Sequence, residues 1–206
     1  MGAIATTDAG PASTTATEDR IVEAALTCIA RWGLSKTTID DVAREAGTSR
    51  ATAYRLFPGG KDTIVDAVVG REVQHFFADL AVELSRHDDA EGLLVAGLGR
   101  SLRFLTAHPA LRSVLAHEPG LLLPQVAFHR LGPVLDAAVG FAVPFLRPHV
   151  APDAVPSVDE RAAEVAEVLV RLVLSLALTP SEHVDPDDDA SVARLVRAHL
   201  LPALSR

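Results

Sequence analysis

Thr38-Ile39-Asp40-Asp41-Val42-Ala43-Arg44-Glu45-Ala46-Gly47-Thr48-Ser49-Arg50-Ala51-Thr52-Ala53-Tyr54-Arg55-Leu56-Phe57-Pro58-Gly59-Gly60-Lys61 is the stretch on which the reading of this chain turns. Thr38 followed by Asp41 is a variant of the capping box and opens a short helix. Val42, Ala43 and Ala46 form its inner face, with alanines small enough for a close helix crossing. Gly47 takes the turn, where a positive φ is cheap only for glycine. Thr48 or Ser49 caps the next helix, whose inward positions are Ala53, Leu56 and Phe57. Its outward positions are Ser49, Arg50, Thr52 and Tyr54, with Arg55 alongside. These hydroxyls, guanidiniums and phenol suit phosphates and base edges. An ordinary polar helix face has a similar composition; the turn spacing separates the two. Two short helices crossing through a glycine turn make a helix-turn-helix, whose second helix fits a DNA major groove.

Upstream, Thr17 is a good N-cap, with Glu18 and Asp19 at the positive end of the helix dipole. Ile21, Ala25, Cys28, Ile29 and Trp32 recur at helical spacing, and Gly33 supplies the stop. Residues 1–16, rich in Ala, Thr and Gly, read as a disordered leader without the basic start and apolar run of a signal peptide. Downstream, a long helix from Lys61 to about Arg86 carries Ile64, Val65, Val68, Val69, Val73, Phe76, Phe77, Leu80 and Leu84 as one wide stripe. More helices follow over residues 91–108, 109–117, 125–147, 157–178 and the last stretch of chain. Gly97 and Gly99 mark a close helix contact or an empty volume, and Pro133 and Pro144 a kink or division. Ser157 with Glu160 makes a capping box. From Val168 onward that helix is apolar on nearly every side, so it needs a second surface against which to bury. Arg171 within it meets a ligand carboxylate, pairs with an acid such as Glu167, or lies at a subunit seam. No internal repeat and no strand pattern is evident.

Composition bounds the function. The chain has 206 residues and a net charge of −8, which argues against a nucleic-acid partner. The charge is uneven, however. Residues 17–57 balance six basic side chains (Arg20, Arg31, Lys36, Arg44, Arg50, Arg55) against six acidic ones (Glu18, Asp19, Glu23, Asp40, Asp41, Glu45), so the acidity lies elsewhere. One cysteine, Cys28, allows no intrachain disulfide and reads as core filler in a cytoplasmic protein. Glu167 and Arg171 interrupt the most apolar run, residues 165–178, which is too short to span a membrane. The eight histidines form no His-x-x-x-His or Glu-x-x-His pair; His117 and His129 stand nearest to a ligand or metal role. Neither a phosphate-cradling glycine loop nor a Gly-x-Ser-x-Gly elbow occurs. The expectation is no enzyme, no cofactor and no metal.

At the helix-turn-helix the chain resembles the TetR family of bacterial transcriptional regulators. The matching residues are Thr37-Thr38-Ile39-Asp40-Asp41-Val42-Ala43, Ala46-Gly47-Thr48-Ser49, and Thr52-Ala53-Tyr54-Arg55-Leu56-Phe57 with Lys61-Asp62 close behind. The likeness is close over residues 17–69 and elsewhere extends only to an all-helical layout. It implies a homodimer, joined through the last two helices, whose recognition helices enter successive major grooves of a palindromic operator. Carried over by position, Ser49, Arg50 and Thr52 sit near bases, while Thr38, Tyr54 and Lys61 hold phosphates. The family commonly has one residue between the proline and the lysine; here Gly59 and Gly60 make two.

The expected architecture is all-α: a leader (1–16), a three-helix helix-turn-helix DNA-binding domain (17–62), and a helical effector-binding and dimerisation domain (63–206). The DNA-facing set is Thr38, Thr48, Ser49, Arg50, Thr52, Tyr54, Arg55 and Lys61. Phe76, Phe77, Leu80, Leu98, Leu102, Leu105, Phe128, Leu131 and Leu135 are the candidate lining for a lipophilic small-molecule effector, although dense core packing is the better account of most of them one by one. The expected function is a ligand-responsive regulator, a repressor by family habit, released from double-stranded operator DNA by that effector. The competing readings are a helical adaptor without DNA binding and a TetR-like activator. The joint at Pro58-Gly59-Gly60 is the expected route from ligand state to DNA.

Overall fold

The structure, a computed structural model, describes residues 11–118, 120 and 131–204, with side chains from residue 14 onward except that of Leu131. Every regular element among them is helical. In chain order these are α1 (Pro11–Trp32), α2 (Ile39–Glu45), α3 (Arg50–Leu56), α4 (Lys61–Leu84), α5 (Ala90–Ala107), α6 (Pro109–His117), α7 (Leu131–Leu146) and α8 (Val158–Leu178). After them come α9 (Asp189–Leu195), one wide turn (Val196–Leu200) and α10 (Leu201–Leu204). Pro202 has no N–H to continue the i→i−4 ladder, and a wide π turn precedes it. No described helix is long and apolar enough to cross a membrane.

Two compact units result. Of the described residues, the first comprises those up to 73 with 112–118, and the second 74–111, 120 and 131–204. The division therefore falls inside α4, beyond the expected boundary at Asp62. In the first unit Ile21, Ala25 and Cys28 of α1 meet Val42 and Ala43 of α2, Ala53 of α3, Phe57, and Ile64 and Val68 of α4. Ala53 is wholly buried and Leu56 packs half-buried beside it, so α3 meets the core on one side and its outer face stays in water. Burial, then the charges of Glu45 and Asp41, push the Cys28 thiol above its ordinary range, as suits an inert core residue.

Three expectations need correction. α1 already includes residues 11–16, so Thr17 lies within the helix instead of capping it. Trp32 is 38% exposed, lying past the end of the buried stripe with the Arg31 guanidinium 5.5 Å from its ring. Val69 and Val73 are 55% and 44% exposed. Four residues apart, they share the outer face of α4 with Asp62 and Asp66, because a stripe of nine positions is wider than one core-facing side.

The second unit has a core built on Leu80, Leu84, Leu94, Leu98 and Leu102, closed by Leu146, Val165, Ala166 and Leu169, and by Val192, Val196 and Leu200. Neither Pro133 nor Pro144 divides α7. A Cβ at Gly97 would lie 3.6 Å from Leu84 and 3.9 Å from Leu169, ordinary contact distances. Gly97 thus stands in a close helix contact with room for one methyl. Gly97→Ala is expected to stabilise the chain by about 1 kcal/mol. Leu98→Ala, at a wholly buried position, should cost about 3 kcal/mol. Urea unfolding midpoints of the two variants measure both.

Candidate nucleic-acid interface

α2 and α3 have seven residues each, too few to persist alone, so caps and neighbours must hold them. The Thr38 hydroxyl accepts from the Asp41 amide at 3.2 Å, and the Asp41 carboxylate accepts from the Thr38 amide at 3.3 Å, closing the capping box. The Thr38 hydroxyl is the largest influence on Asp41. Together with the Thr38 amide and Arg44 it outweighs desolvation and holds that carboxyl below the usual aspartate range. Gly47, at φ +63°, makes the turn. Ser49 rather than Thr48 is the cap of α3, accepting from the Thr52 amide at 3.1 Å. Thr48 instead donates its amide to the Ala43 carbonyl at 2.9 Å.

Ser49, Arg50, Tyr54 and Arg55 are exposed along α3, as is Thr38 at the start of α2. Thr48 and Thr52 are half-buried, and the Thr52 hydroxyl lies 2.9 Å from that of Ser49. Arg50 Nη1 donates to Asp40 Oδ2 at 3.0 Å, and its guanidinium carbon lies 5.4 Å from the Tyr54 ring centroid. Two more carboxylates of α2 face arginines: Asp41 with Arg44 at 3.1 Å and Glu45 with Arg31 at 3.9 Å. Among the described residues no carboxylate stands within ion-pair range of Lys36 or Arg55.

Lys61 departs from its expected place. Its ammonium donates to the carbonyls of Leu34 (2.7 Å) and Ser35 (3.3 Å), so it secures the α1–α2 loop from behind. Gly60, at φ +69°, turns the chain into α4 immediately before it. The same loop has a second holder that local sequence reading missed. The Glu118 carboxylate accepts from the Ser35 amide with both oxygens, at 2.9 and 3.0 Å. Partial burial is the largest single influence on Glu118 and pushes it up. The Ser35 and Leu34 donors and the Lys61 ammonium outweigh it and hold the carboxyl below its ordinary range. No local pattern signals a partner 83 residues away. Of the two histidines singled out, His117 bonds the Ser113 carbonyl at 2.9 Å, and His129 lies outside the described residues.

The candidate effector set separates into two kinds of residue. Leu80, Leu98 and Leu102 are core, and Leu135 is buried as well. Phe76, Phe77 and Leu105 are half-buried against that core. Phe128 and the Leu131 side chain lie outside the described residues. Phe104, Phe141 and Phe145 were not in the set, yet they complete an aromatic ladder. Phe104 and Phe76 stack at 4.6 Å, Phe76 and Phe77 stand 5.4 Å apart, and Phe77 meets Phe141 at 4.6 Å and Phe141 meets Phe145 at 5.3 Å. Five of the chain's seven phenylalanines thus touch in sequence in the second unit. The spacing of Phe141 and Phe145, four apart on one helix, was the available signal.

A capped helix-turn-helix with an exposed second helix, on an all-helical chain, defines a helix-turn-helix DNA-binding protein. The profile of the bacterial regulatory proteins of the tetR family matches residues 21–68. An HTH-type transcriptional regulator of Mycobacterium tuberculosis H37Rv, described as uncharacterised, is 26% identical over 90% of this chain and 86% of its own. The regulator SrpR of Pseudomonas putida is 33% identical over 40% of this chain and 38% of its own. Among solved structures, the TetR family repressor AlkX from Dietzia, implicated in biodegradation of n-alkanes, has a TM-score of 0.64 at 24% identity, covering 91% of this chain and 97% of that one. The fatty acid degradation regulator FadR from Bacillus halodurans has a TM-score of 0.59 at 17% identity, covering 89% and 94%. Together these likenesses support a TetR-family transcriptional regulator, a family of DNA-binding proteins rather than enzymes.

Glu118→Gln removes the charge that holds the Ser35 amide, and the exchange rate of that amide should rise at least severalfold. A folded-state pKa below the ordinary value of 4.5 means the carboxylate's contribution is present above that value and lost as pH falls through the folded pKa. Hydrogen exchange at Ser35 across that range measures the loss in the wild type. In the Glu118→Gln variant the rate should lack that pH dependence once intrinsic exchange is divided out.

Proposed function

We propose that this protein is a ligand-responsive repressor that binds a palindromic operator as a homodimer and leaves it when a lipophilic molecule binds the second unit. The observation that carries the DNA half of this reading is the outer face of α3, where Ser49, Arg50, Tyr54 and Arg55 stand in water on a helix seated by buried Ala53 and half-buried Leu56. Thr38, Tyr54 and Arg55 serve phosphates, while Ser49, Arg50 and Thr52 serve base edges. Lys61 supports the loop behind them, and Thr48 the turn.

Dimerisation is supported by apolar surface on α8, where Val168 is 49% and Leu178 42% exposed. Beside it an open groove of about 450 Å³ is lined by Val165, Val168, Arg171, His199, Leu200 and Ala203. Arg171 is already paired with Glu167 at 2.6 Å, which favours a place at a seam over a ligand carboxylate. The aromatic ladder supports a lipophilic effector such as an acyl chain, because stacked rings offer apolar area without charge. The n-alkane and fatty-acid associations of AlkX and FadR point the same way.

Coupling is a population shift. A palindromic duplex demands recognition helices about 34–36 Å apart, and an effector that favours another spacing weakens binding by roughly 5- to 150-fold, about 1–3 kcal/mol. In an electrophoretic shift with the DNA upstream of its own coding sequence, the wild type should retard the fragment and Tyr54→Ala should not. Absence of any wild-type shift would favour an adaptor. Saturating dodecanoate should lower wild-type affinity at least fivefold, with Phe77→Ala blunting the response; unchanged affinity would refute the effector assignment. Val168→Asp should sediment as a monomer.

A further inference from the structure

Over residues 17–57 six cations and six anions balance, and three of the arginines there are held in ion pairs. Three carboxylates on α2, those of Asp40, Asp41 and Glu45, face Arg50, Arg44 and Arg31. Two of these pairs have structural work to do or are loose. Asp41 belongs to the cap of α2, and the Glu45 pair stands at 3.9 Å. Asp40 has neither character: it caps nothing, its side chain is 47% exposed, and it holds Arg50 at 3.0 Å across ten residues of sequence. Arg50 is the first residue of α3 and the one guanidinium there with an ion pair among the described residues. Its position is fixed from two sides, by Asp40 and by the face of Tyr54. The Tyr54 ring in turn lies beside Gly60, where a Cβ would come within 3.8 Å.

We infer that Asp40 is a specificity-determining residue: it keeps the Arg50 guanidinium against α2, out of indiscriminate phosphate contacts, and yields it only to a base edge that replaces the ion pair. This rests on the DNA-binding reading above. Non-specific affinity comes almost wholly from cations set against phosphates, whereas a guanidinium on the O6 and N7 of guanine gains two directed hydrogen bonds. A carboxylate already on Arg50 competes well with a single phosphate and poorly with that bidentate acceptor. Asp40 therefore lowers non-specific binding more than specific binding. An exposed pair weights such a competition by up to about fivefold per protomer, and by the square of that where two protomers engage one duplex.

The test uses the full chain, a duplex selected by the wild type from a randomised pool, and a scrambled duplex of equal length and composition. Fluorescence anisotropy across a range of KCl gives affinities for the wild type, Asp40→Asn, Arg50→Ala and the double variant. Asp40→Asn should tighten binding to the scrambled duplex severalfold, up to about fivefold per protomer. It should change the selected duplex less and steepen the scrambled salt dependence by about 0.9 per protomer. The gain should vanish when Arg50 is already alanine. An equal gain with and without Arg50 would mean simple removal of a negative charge and would overturn the proposal, as would no gain at all. If the wild type enriches no sequence from the pool, the DNA-binding reading itself fails and the role of Asp40 falls with it.

Discussion

The α1–α2 loop is held between two opposite charges: Lys61 takes the carbonyls of Leu34 and Ser35, and Glu118 takes the amide of Ser35. On this arrangement the recognition surface depends. α2 and α3 contribute few large side chains to the core, and Ala53 is the only fully buried residue of α3. Their placement rests on the turn at Gly47, the caps at Thr38 and Ser49, and the loop that delivers the chain to Thr38. A carboxylate facing two main-chain donors is a stronger fastening than a neutral acceptor, since charge-assisted bonds are roughly twice as strong. A displacement of residues 33–37 would carry α2 with it, because Thr37 bonds the Gly33 carbonyl at 2.7 Å and leads directly into the cap.

Electrostatics in the first unit follow a different logic from that of a strongly basic DNA-binding domain. Over residues 17–57 six cations are balanced by six anions, and three of the arginines are paired to α2, so no net positive charge is left there to attract phosphate indiscriminately. Selectivity then depends on where the groups sit. Arg50 and Tyr54 meet one turn apart along α3, while the Ser49 and Thr52 hydroxyls form a second polar site at its N-terminal end. The net charge of −8 is borne outside this segment and opposes loose association with polyanions.

In the second unit leucine and phenylalanine take different places. Leu93, Leu94, Leu98 and Leu102 of α5 are sealed into the core, where shape and volume decide their identity. The phenylalanines are half-buried and touch one another in a line across α4, α5 and α7. Half-buried rings at the margin of the core offer apolar area of the kind that suits an apolar guest. Equal hydrophobicity in the sequence conceals this difference.

The helix-turn-helix was legible from residues alone because its determinants are local. A capping threonine, a glycine that must take a positive φ, a capping serine and a one-turn apolar spacing all act within a few positions of one another. The all-helical class followed from the 3.6-residue period, and the Glu167–Arg171 pair from its i, i+4 spacing. Tertiary structure decided what depends on distant neighbours. It turned Lys61 from a phosphate ligand into a loop anchor and brought Glu118 to Ser35 across 83 residues. It placed Asp40 on Arg50, left Val69 and Val73 in water, and sorted the apolar residues of the second unit into core and ladder. Sequence specifies which chemical groups are available and at what local period; which of them meet is set by chain segments that approach only once the helices have packed.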